Sequence, residues 1–171
     1  MIVVLWVVVG VVALSFIEWG VHRYLMHRPS IRLFRSHFIE HAIEHHGRYY
    51  HTFNRESGAG KYLNLTLSVA GTVTGITLIS PLAMFSLTGF VVFAVLGVLH
   101  AVIWSAIHCE LQLNQGMWFA STRVYRALMW HHFLHHQHPT KNFNVVIPLA
   151  DYILGTAARA TAADILEWES L

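Results

Sequence analysis

A chain of 171 residues holds one domain, 1–171, and has no comfortable room for a second. Only 12% of its residues are charged, 55% are hydrophobic, and mean hydropathy is +0.48. Soluble domains carry about 25% charged residues, so an ordinary soluble domain, a disordered tail and a nucleic-acid binder are excluded. The net charge of +2 offers a phosphate polymer little, and a lone cysteine, Cys109, rules out a disulfide framework or a Cys-built zinc or iron–sulfur site. Histidine is the anomaly: there are 14, against 11 lysines and arginines together.

From Met1 to Ile17 no side chain is charged, and the apolar run is long enough to predict a first membrane span with helix continuing to about His27. A signal peptide fits poorly, because no Lys or Arg precedes the run and no small-x-small cleavage site follows it. Between Lys61 and Glu110 there is no Asp, Glu, Lys or Arg. Pro81 interrupts this block, since it lacks an amide donor and disfavours helix at the residue before it. Two further spans are therefore expected, about 62–79 and 82–107, forming a hairpin. In this topology all basic residues, from Arg23 to Lys61 and from Arg123 to Arg159, share one face, which the positive-inside rule makes cytoplasmic. The predicted fold is an all-α bundle of about three spans, with four as the alternative count, under a cytoplasmic helical cap.

The cap carries three groups of histidines: His22 and His27; His37, His41, His45 and His46, with His51 beyond; and His131, His132, His135, His136 and His138. An α-helix turns about 100° per residue, so residues four apart share a face. His37, His41 and His45 then form one stripe and His132 and His136 another, with the adjacent His46 or His135 placed to reach a second ion. His22 and His27, five apart, do not share a face of an ideal helix. They are expected to serve different metals unless the helix frays before Pro29. His100 reads as a hydrogen-bonded bundle residue, and His51 and His138 as solvated. Eight residues remain as metal candidates: His22, His27, His41, His45, His46, His132, His135 and His136. That is too many for one centre and suits two. Glu18, Glu40 and Glu44 are candidates to accept the second N–H of a ligating imidazole, with Glu18, one turn before His22, the best placed.

The ordered boxes His22-x4-His27, His41-x3-His45-His46 and His132-x2-His135-His136 resemble those of the fatty acid hydroxylase / sterol desaturase superfamily. So does the tail from Asn142-Phe143-Asn144 through Asp151 to Gly155-Thr156, and the resemblance covers Glu18 to Thr156. It implies an integral-membrane non-haem di-iron oxygenase, with zinc as the alternative occupant in a purified sample. It also implies a lipid substrate, O2, and electrons from a separate donor of cytochrome b5 or ferredoxin type. Asn142 and Asp151 become candidate supports around the ligands. One departure stands out: where the family carries another His pair, a gap-free reading finds Leu113 and Met117. His108, beside Cys109-Glu110 and with Gln112 one turn on, is the nearest substitute. No flavin, haem or iron–sulfur motif is present, so electrons must come from outside. Lipid hydroxylation is the expected reaction. Carotenoid hydroxylation, sterol desaturation and metal binding without turnover are the alternatives. A bis-histidine haem protein would leave most of the histidines unexplained.

Overall fold

The structure, a computed structural model, describes residues 1–29, 32–49, 75–114 and 116–171. Every regular element among them is helical. An N-terminal helix, Ile2–Val21, runs directly into a π-helical turn, His22–Met26. A histidine-bearing arm follows as short pieces: 3-10 over Arg32–Phe34, α over Arg35–Phe38, π over Ile39–His45 and α over His46–Tyr49. After the 3-10 turn Ser80–Met84 comes the long helix Leu87–Leu113. Ser86 caps its start by accepting from the Gly89 N–H at 3.0 Å, and Asn114, in the left-handed region at φ 46°, ends it. The helix Arg123–Gln137, capped by Thr122, packs through Tyr125 and Met129 on the C-terminal part of the long helix, and two shorter helices, Leu149–Ile153 and Ala162–Glu169, complete the chain.

Ile2–Met26 and Leu87–Leu111 are each long and apolar enough to cross a membrane. Their outer faces expose Val3, Val4, Leu5, Val91, Val95 and Val102 instead of burying them. They pack in parallel: Trp6 meets Gly89 and Phe93, Gly10 meets Phe93 and Leu96, and Glu18 meets His100. Glycine makes this approach, since a Cβ on Gly89 would lie 2.8 Å from the Trp6 ring and one on Gly10 2.6 Å from Leu96. Both helices thus deliver their C-terminal ends to the same side. The expected span 62–79 lies outside the described residues except for Gly75–Ile79, as do the expected His51 and the basic residues Arg55 and Lys61.

The protein core sits at that shared end. Leu111, Tyr125 and Val145 form one cluster with Trp104 and Met129 against it. Phe133 and Leu134 form another, closed by Trp130 and Trp168. The terminal helix is fixed by a reciprocal capping box between Thr161 and Asp164.

Candidate metal centre

Two groups of imidazoles occupy this core, in each of which one ring nitrogen per residue lies within 4.8 Å of all the others: His22, His27, His41, His46 and His135; and His45, His132 and His136. The groups abut, with the His46 and His136 rings stacked 4.4 Å apart. Chain-adjacent histidines divide between them, His45 from His46 and His135 from His136. Neighbours on a helix point about 100° apart, so one helical face straddles both groups.

His22 and His27 stand in the same group, contrary to the expectation from their spacing. The backbone explains it. Residues 22–26 are π-helical, and the His27 N–H donates to the His22 carbonyl at 3.1 Å, a bond five residues long. The wider turn brings five-apart residues onto one face, their rings 5.0 Å apart. The device recurs in Ile39–His45, where the His46 N–H donates to the His41 carbonyl and places this second five-apart pair together.

Two histidines are locked from behind by main chain. His22 Nδ1–H donates to the Phe143 carbonyl, and His135 Nδ1–H donates to the Lys141 carbonyl at 2.6 Å. A carbonyl only accepts, so the proton sits on Nδ1 and the Nε2 lone pair faces the cluster. There, His22 Nε2 lies 2.8 Å from His41 Nε2, and His135 Nε2 lies 3.1 Å from both His27 Nε2 and His46 Nε2. In the second group His132 and His136 approach to 3.2 Å through Nε2.

Burial holds these rings neutral. His132, His135 and His136 are completely inaccessible to solvent. Desolvation, reinforced by the neighbouring imidazoles, pushes His41, His45, His46, His132, His135 and His136 well below the usual histidine range. Burial lowers His27 to about 4. Neutral imidazoles with converging lone pairs and no carboxylate in either group are the donor set of a transition-metal site. The residues present fit a pair of ions.

His108 belongs to neither group, yet its ring lies 5.0 Å from His45 and 5.1 Å from His132. It stacks on Trp104 at 4.6 Å, and its buried Nε2 has no hydrogen-bond partner among the described residues. Met117 is exposed, and the side chains of Leu113, Gln112 and His37 lie outside the described ones.

The support around the rings differs from the expected carboxylates. Glu18 turns away from His22: its carboxylate accepts from the Val145 N–H at 2.6 Å, the Val146 N–H at 3.2 Å and the Asn144 amide, with His100 at 3.4 Å. Glu40 and Glu44 are exposed. Asn142 and Asp151 organise the loop that supplies the carbonyls. The Asn142 amide donates to the His131 carbonyl, and its oxygen accepts from the Ala158 N–H. Fully buried Asp151 accepts from the Phe143 and Asn144 N–H groups, the Thr156 hydroxyl and His131 Nε2. His131 and His138 are thereby structural, the latter pairing with Asp164 at 3.1 Å instead of being merely solvated. The carbonyls of Lys141 and Phe143 are the functional groups that the sequence reading missed. Nothing could have flagged them, because every residue has the same carbonyl.

Residues 7–156 match the family described as fatty acid hydroxylase. No curated protein and no solved structure matches the chain. This match spans most of the sequence, including every histidine of both groups, and the family's members are metal-dependent, membrane-bound oxygenases of the lipid hydroxylase and desaturase type. The chain belongs to the fatty acid hydroxylase family.

Proposed function

We propose that this chain hydroxylates a lipid C–H bond with O2 at a di-iron centre on the cytoplasmic side of a multi-pass bundle. One iron is assigned to His22, His27, His41, His46 and His135. The other is assigned to His45, His132 and His136, with His108 completing the set from the long helix. The observation that carries this reading is the gathering of eight inward-facing histidines into two adjoining groups, in a chain of an oxygenase family. Bound iron would supply the redox chemistry that activates O2.

The protein's own part is to position and to shield. The Phe143 and Lys141 carbonyls fix the tautomers of His22 and His135, so both rings are ready to ligate without rearrangement. Complete burial of His132, His135 and His136 keeps water from quenching an oxidant. Trp104, stacked on His108, and the apolar helix faces offer a dry approach for an acyl or sterol chain. Electrons come from a separate carrier of cytochrome b5 or ferredoxin type. Arg23, stacked over Trp19 and Tyr24, belongs to the basic face that the positive-inside rule puts in the cytoplasm.

The test is metal and oxygen analysis of the full chain in detergent. About two iron ions per chain, with label from 18O2 appearing in a lipid when a reductant system is added, support the proposal. Tight metal binding without any oxygen transfer across fatty acyl, sterol and carotenoid substrates would reduce the chain to a membrane metal-binding protein.

A further inference from the structure

We infer that residues 142–156 form a re-entrant loop that dips into the bilayer beside the N-terminal helix and presents Tyr152, Ile153 and Leu154 to lipid acyl chains. The neck of the loop is closed by the Asn142 N–H, which donates to the Thr156 carbonyl at 3.0 Å, and by the Asn142 side chain on Ala158. Asn142 and Gly155 make the sharp turns there, with φ of 52° and 67°. Lys141 and Arg159 flank the neck, and between them the one charged side chain is Asp151, which is fully buried with four donors around it. Both ends therefore lie on the charged side, and what passes between them is uncharged on its outer face.

Depth comes from the contacts with the N-terminal helix. The tip of the loop reaches Ser15: its hydroxyl donates to the Ile147 carbonyl at 2.7 Å and accepts from the Ala150 N–H at 3.0 Å. Ser15 precedes His22 by seven residues, or about 10 Å along a helix, and it lies inside the apolar stretch Ile2–Met26. Irregular backbone at such depth survives only where its polar groups are satisfied by protein. Here the N-terminal helix provides for that. Glu18 takes the N–H groups of Val145 and Val146, and the Ser15 carbonyl takes the Asn144 amide. A carboxylate and a hydroxyl within a span thus have a use unrelated to metal. Opposite this satisfied inner side, Tyr152, Ile153 and Leu154 are 67%, 60% and 44% exposed. Three consecutive apolar residues presented at the level of a span match hydrocarbon. The root of the same loop carries Phe143, whose carbonyl orients His22, so the inserted loop ties the histidine cluster to the membrane.

The experiment is site-directed spin labelling of the full chain in phosphatidylcholine vesicles. Cys109→Ser gives the background, with labels at Ile153→Cys and, independently, Leu154→Cys. Val8→Cys on the exposed face of the first helix and Arg159→Cys serve as references. At both loop positions we expect collision with O2 to dominate over collision with a water-soluble nickel chelate, as at Val8. A chelate-dominated signal like that at Arg159 would overturn the inference. So would low access to both reagents, which would mean that protein covers the patch. A chelate-dominated signal at Val8 itself would instead sink the spanning assignment of the helix. If one loop variant fails to fold, the other carries the test.

Discussion

Replacing Asp151 with Asn changes one atom in the loop beneath the histidines, and its consequences follow from four hydrogen bonds. One carboxylate oxygen accepts from the Phe143 N–H at 3.0 Å and the Thr156 hydroxyl at 2.7 Å. The other accepts from the Asn144 N–H at 2.7 Å and His131 Nε2 at 3.1 Å. Whichever oxygen becomes an amide NH2, one backbone N–H, of Phe143 or of Asn144, then faces a donor, whereas the Thr156 hydroxyl and the His131 ring can each turn an acceptor toward it. A buried donor left unmet costs about 1–3 kcal/mol, so Asp151→Asn should lose about that much. For a chain of this size each kcal/mol shifts Tm by about 2–4 °C, which predicts a fall of about 2–12 °C in circular-dichroism melting of the metal-free protein in detergent. Thr156→Ser, which keeps the hydroxyl that donates to Asp151 and accepts from Trp19 Nε1, should lose less. Because Phe143 both donates to Asp151 and orients His22, Asp151→Asn should also weaken metal retention. A Tm within about 1 °C of the parent, with unchanged metal content, would refute the claim that this carboxylate holds the loop.

His45→Ala and His136→Ala should each abolish the metal of the smaller group and all turnover, whereas His138→Ala, which breaks only the clasp to Asp164, should keep both; metal analysis and product assay distinguish them. Acid should undo the metal-free fold. The clustered histidines are held neutral in the fold and take up protons once unfolded, so their contribution to stability is intact above the unfolded pKa of about 6.5 and drains away as pH falls below it. For His27 that loss continues down to about pH 4, and Tm should drop across this window; a flat profile from pH 7 to 4 would contradict the assignment. Gly89→Val should destabilise by about 1–3 kcal/mol, because its Cβ would collide with Trp6, while Gly97→Ala, with open space around its Cβ, should leave Tm unchanged or raise it slightly.

The amino-acid sequence alone marks the eight clustered histidines, the apolar character of both long helices and the Asn142-to-Thr156 tail. Side-chain identity and helical spacing carry that information directly. Adjacent pairs such as His45-His46 also announce two groups, because a helix cannot aim neighbours at one point. Tertiary structure decided the partition. His22 and His27 share a group because the backbone adopts a five-residue hydrogen bond there, a local cost that spacing rules built on 3.6 residues per turn do not anticipate. It also decided what holds the rings. The acceptors are main-chain carbonyls of Lys141 and Phe143, chemically identical to those of every other residue, and Glu18 serves the backbone of a loop more than 120 positions away. Groups without a side-chain signature become functional only when folding aims them.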